Sequence, residues 1–92
     1  MSLRSILKAS AHSDAMLRPA FAGGEERTAD FMPVIQRGGD FARLGDPHFF
    51  AQVAVSKDGR YVEWPGEIDF SADALWLEGT PVATAISQHS SL

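Results

Sequence analysis

Cysteine is absent from the 92 residues, which excludes disulfide frameworks, thiolate metal sites and thiol nucleophiles together. The absence also fits a reducing compartment. No apolar run approaches the ~20 residues that a membrane-spanning helix requires, and Met1 to Ala11 lacks the continuous apolar stretch of a secretion signal. The expectation is a cytoplasmic protein with no membrane partner. Lys and Arg form no cluster, and the formal net charge is -4. Phosphate neutralisation supplies most of the affinity for nucleic acid, so this balance argues against nucleic-acid binding and favours a basic protein partner.

Catalytic signatures are missing as well. His12, His48 and His89 are far apart and share no metal-type spacing. Ser71, Ser87, Ser90 and Ser91 sit in no G-x-S-x-G elbow. The Gly23-Gly24 and Gly38-Gly39 pairs have neither the lysine of a phosphate loop nor a strand-to-helix context, and they read as turns. Glu63, Glu67, Asp69 and Asp73 form a loose acidic group around Trp64-Pro65-Gly66. Paired carboxylates of this kind can hold a divalent ion or share a proton, but each has a structural use here. Glu63 falls on the wet face of a strand, Asp69 can accept turn amides, and Asp73 charge-matches a helix N-terminus. No catalytic residue, cofactor or metal ligand is therefore assigned, and the chain is not read as an enzyme.

What is present suits an ordinary globular core: 45% hydrophobic and 22% charged residues. So short a chain hides only roughly 60–65% of its unfolded surface, so self-association would add stability, and a homo-oligomer is left open. Residues 5–11 read as a first strand, with Leu7, Ala9 and Ala11 on one face. His12-Ser13-Asp14 reads as a turn. Met16–Phe21 and Arg27–Phe31 flank a glycine turn and form a hairpin. A three-residue loop at Gly23, Gly24 and Glu25 would put Leu17, Pro19 and Phe21 on one face with Ala29 and Phe31. Pro19 has no amide hydrogen, so its strand is expected at a sheet edge or with that nitrogen turned away from its neighbour. Met32–Ile35 forms a turn of helix, Gln36–Asp40 a flexible connector, and Asp46-Pro47 a capped helix start running to about Ala51.

The clearest local pattern is Gln52–Trp64, where Asp58-Gly59 lies between two alternating runs and suits a type I′ turn. The register then pairs Lys57 with Arg60, Ser56 with Tyr61, Val55 with Val62, Ala54 with Glu63 and Val53 with Trp64. One face is dry, the other wet. Pro65-Gly66 ends the strand, and a helix capped by Ser71 runs to Leu77, anchored by Leu75 and Trp76 and stopped by Gly79. Residues 1–79 read as a single domain and 80–92 as a C-terminal tail, whose last stretch, Val82–Leu92, could fray, form a marginal helix or pair with a partner.

Phe41, Leu44, Asp46-Pro47, Phe49-Phe50, Val55, Asp58-Gly59, Val62-Glu63-Trp64-Pro65, Ile68-Asp69, Asp73 and Leu75, with Phe21, Gly24 and Asp30 upstream, together resemble a bacterial family catalogued as domain of unknown function family 2442. The resemblance spans residues 17–76 and is most specific at Trp64-Pro65 and Asp69. It implies a small α+β fold of short antiparallel strands, like the N-terminal domain of relatives that carry a helix-turn-helix segment behind it. Residues 80–92 are too short for that segment, so DNA binding is not carried over. Relatives tend to be encoded beside small toxin-like proteins, which implies an accessory or antitoxin-like role. The expected fold is thus α+β, a small antiparallel sheet of short hairpin strands with two or three short helices. The expected function is a protein-interaction module for a basic partner. Tyr61, Trp64, Pro65, Glu67 and Asp69 are its contact candidates. The alternative is a sensor for a small molecule or metal.

Overall fold

Alternating side chains build two antiparallel sheets, described for residues 4–81 in a computed structural model. Strands β1 (Ile6–His12), β2 (Met16–Phe21) and β3 (Arg27–Asp30) form a meander, and β7 (Thr80–Pro81) returns to β3 to give the order β1-β2-β3-β7. The second sheet is β4 (Ala54–Val55), β5 (Tyr61–Trp64) and β6 (Ile68–Ser71), in that order. Three short helices, α1 (Met32–Ile35), α2 (Pro47–Phe50) and α3 (Ala72–Glu78), complete an α+β fold. Thr80–Pro81, the start of the segment read as a tail, pairs with Thr28 and Arg27. Val82–Leu92 lies outside the described residues.

The first sheet departs from the sequence reading at three points, and each has a local cause. A bulge between Ile6 and Lys8 shifts the β1–β2 register, so Ile6 is buried and Leu7 stands 68% exposed instead of sharing a face with Ala9 and Ala11. Strand β2 is central, which overturns the edge placement of Pro19 and leaves the alternative of an unpaired nitrogen, because its pairing with β3 is confined to Met16, Leu17 and an isolated bridge at Ala20. The gap falls at Arg18-Pro19, where proline has no hydrogen to donate. The hairpin loop is Ala22–Gly24, closed by the Phe21 amide donating to the Glu25 carbonyl at 2.7 Å, one residue earlier than expected. That moves the register by two, so Leu17 faces Ala29 and the buried set of Leu17, Pro19, Phe21, Ala29 and Phe31 is preserved.

Strands β4 and β5 adopt the expected register, Ala54 opposite Glu63 and Val55 opposite Val62. Their turn is not type I′. The Gly59 amide donates to the Ser56 carbonyl at 3.0 Å, which centres the turn on Lys57-Asp58, and only Gly59 (φ 75) is left-handed. Ser56 Oγ accepts the Arg60 and Tyr61 amides, at 3.0 and 3.2 Å, and donates to Asp58 Oδ1 at 2.8 Å. These bonds satisfy the wider loop and displace the tighter turn. The Ser56 hydroxyl, followed by the Arg60 amide, holds the Asp58 carboxyl below its ordinary value. A depressed carboxylate pKa favours the folded state above the unfolded value, and that contribution is lost as pH falls through the folded one. Asp58→Asn should therefore lower stability slightly in the neutral region, leave it nearly unchanged at the acid end and so flatten the acid limb of a stability-versus-pH curve, as read by chemical denaturation.

One buried cluster joins the two sheets. Phe31, Phe50, Trp64 and Phe70 pack ring against ring, with Phe50 and Trp64 stacked at 5.6 Å and Phe31 edge-on to the other three. Ile6, Leu17, Leu44, Val62, Ile68 and Leu75 fill the space around them. Two bonds from backbone amides tie chain-distant parts: the Ile6 amide donates to the Gly59 carbonyl at 2.7 Å, and the Arg4 amide to the Asp73 side chain at Oδ1, 3.0 Å away. Trp76 has two guanidinium carbons, of Arg4 and Arg27, each 3.7 Å from its ring centre. Two such groups cannot share one face at that distance, so the indole is held between them.

Candidate functional site

Strand β6 is the element that builds the outer surface of the second sheet, and it was missed in the sequence because four residues ahead of a helix cap leave little alternation to read. Its pairing with β5 sets Glu63 opposite Asp69 and Tyr61 opposite Ser71. All four are exposed, Tyr61 at 38%. Directly opposed carboxylates repel, and the ion pair found among the described residues is elsewhere, between Arg27 and Glu25. The result is a solvent-facing acidic patch beside an exposed phenol.

Pro65, Gly66 and Glu67 continue this surface around the bend, all three exposed and the last two left-handed, at φ 91 and 67. Trp64 does not belong to it. The indole is 3% exposed, and its Nε1 donates to the Phe50 carbonyl at 2.8 Å. Strand alternation turns Trp64 to the dry face, so of the five contact candidates Tyr61, Pro65, Glu67 and Asp69 are at the surface and Trp64 is core.

On its far side the bend meets the connector and the 3-10 segment Gly39–Gly45 that follows it. A groove of about 520 Å³ runs between them, lined by Asp40, Glu67 and Asp69, the half-buried ring of Phe41, and Arg37. The Arg37 guanidinium lies 5.8 Å from the Phe41 ring centre. Segments 37–41 and 66–69 are remote in the chain, so no local pattern announces this juxtaposition. A second cleft, of about 500 Å³, opens between the Ser13–Ala15 turn and helices α1 and α2. Its walls are mainly apolar, including Ala11, Ala15, Met32, Ile35, Leu44 and Phe50, with His12 and Asp14 as polar lining. Asp14 and Ala15 are both left-handed, at φ 64 and 59.

Several of the remaining chemistry-bearing residues are engaged in structural hydrogen bonds. His12 Nε2 and Ser10 Oγ are 3.0 Å apart, Asp46 Oδ1 accepts the His48 amide, Ser71 Oγ accepts the Ala74 amide, and Asp73 receives Arg4. His89, Ser87, Ser90 and Ser91 lie outside the described residues. Among the described residues no three His, Asp or Glu side chains gather as metal ligands would, so the acidic residues near the bend do not converge as a metal cage. No described helix is long and apolar enough to cross a membrane.

No curated protein and no solved structure matches the chain. A family model, described as a protein of unknown function (DUF2442), matches residues 6–81, which takes in both sheets from β1 to β7. The chain belongs to that family.

Proposed function

We propose that this protein is an interaction module that presents the outer face of β5–β6 and the adjoining bend to a basic protein partner, in an accessory or antitoxin-like role in the bacterial cytoplasm. The observation that carries the reading is the Glu63–Asp69 cross-strand pair, two exposed carboxylates set opposite each other beside exposed Tyr61. Such a pair costs folding energy when solvated and becomes favourable when a partner's cations lie across it. No catalytic role is included, and the net charge of -4 suits the same partner chemistry.

The test is co-expression with the proteins encoded beside it, followed by affinity purification and light scattering. A stoichiometric complex with a small basic protein is expected. Glu63→Lys/Asp69→Lys should weaken it by about tenfold or more, because complementary pairs become like-charged ones, while the thermal midpoint of the free variant stays close to that of the parent. A pull-down from native cells that recovers no stoichiometric protein overturns the reading. The apolar cleft beside Asp14 and Ala15 supports a second reading, a small-molecule sensor. A clean homodimer without partner, combined with thermal stabilisation by a metabolite, would put this reading first.

A further inference from the structure

We propose that the groove between the connector and the β5–β6 bend receives an arginine or lysine side chain of the basic partner, an inference that rests on the interaction reading above. Charge complementarity, an aromatic wall and continuity with the acidic face each support it. Asp40, Glu67 and Asp69 line the groove from both sides, and none of them is in the ion pair found among the described residues. Asp69 belongs to the groove and also to the outer face of the sheet, opposite Glu63. A partner segment lying across β5–β6 therefore reaches the groove through Asp69.

The half-buried Phe41 ring supplies what a solvated carboxylate patch lacks, a face on which a guanidinium or ammonium group can rest. That ring already faces a cation, since Arg37 lies at 5.8 Å, near the outer limit at which cation and ring attract. Arg37 also forms no ion pair within the groove. It is thus an intramolecular occupant, weakly held, that an incoming side chain displaces. Removing Arg37 should strengthen partner binding, whereas removing the carboxylates should weaken it.

The full chain, isotopically labelled, is titrated with a hexa-arginine peptide and, separately, with hexa-glutamate. Hexa-arginine should bind and shift the amides of 37–41 and 66–69. Glu67→Gln/Asp69→Asn should lose about tenfold in affinity. Glu26→Gln/Glu78→Gln removes the same charge from residues outside the groove and should lose less than about threefold. Arg37→Ala should tighten binding. Equal losses for the two double variants, weaker binding by Arg37→Ala, or no binding of hexa-arginine would each overturn the groove as a cation site. A co-expressed partner that is lost with Glu63→Lys/Asp69→Lys but kept by Glu67→Gln/Asp69→Asn overturns the groove and leaves the interaction reading standing. If hexa-arginine fails and no partner is recovered, both fall.

Discussion

Trp64→Ala is expected to cost about 3–5 kcal/mol, the range for deleting a large aromatic side chain from a packed core. Small domains have only about 5–15 kcal/mol in total, so most of the stability of this one would be lost. Three contributions are removed at once. The indole stacks on Phe50, meets Phe31 and Phe70 edge-on, and closes the Phe50 carbonyl with its Nε1 hydrogen at 2.8 Å. Trp64→Phe separates them, because it keeps a ring in the stack and leaves the buried carbonyl without its donor. That single loss is worth about 1–3 kcal/mol. Urea denaturation should therefore order the proteins parent, Trp64→Phe, Trp64→Ala. If Trp64 were instead a surface contact, both substitutions would stay within about 0.5 kcal/mol of the parent.

The fate of Trp64 shows how far the sequence could be read. Alternation alone places it with Val62 on the dry face of β5, where the structure has it. Its clustering with acidic residues around the bend is what suggests a contact. The two cues compete, and burial decides, because a ring of that size has more to gain from the core than from solvent. Wherever local chemistry and face agree, as in the β4–β5 register or the Asp46 and Ser71 caps, the sequence suffices.

The misreadings have a common character, since each turns on a backbone hydrogen bond that is diverted, shifted or left out locally. The Asp58-Gly59 pair is a hairpin signal, but the Ser56 hydroxyl satisfies two amides of a wider loop and wins. The exposure of Leu7 depends on a bulge, and the central place of Pro19 on a gap in the β2–β3 ladder. In none of these cases does the hydrophobic pattern itself fail. The candidate site was half legible: Tyr61, Glu67 and Asp69 were named from residue type and position. Asp40 and Phe41 were not, because they reach the bend only through the path of the connector.

Gly59→Ala should be the next most damaging substitution, at about 2–4 kcal/mol, although it adds a single methyl group to a hairpin tip. Left-handed backbone costs a non-glycine residue about 1–2 kcal/mol, and Gly59 sits at φ 75. Its position adds a second cost. A Cβ there would lie 2.7 Å from the Ile6 carbonyl oxygen and 3.2 Å from the Ile6 nitrogen, both backbone atoms that cannot swing aside. The tip must then back away from β1, which breaks the bond by which the Ile6 amide donates to the Gly59 carbonyl and ties the two sheets together. Gly23→Ala is the control, since Gly23 is also left-handed, at φ 102, but has open space around it. Gly23→Ala should lower the thermal midpoint by several degrees, and Gly59→Ala by about 10–20 °C, given the ~4–8 °C per kcal/mol of a domain this size. Equal shifts for the two would mean that conformational strain alone sets the cost and that the hairpin tip does not pin β1.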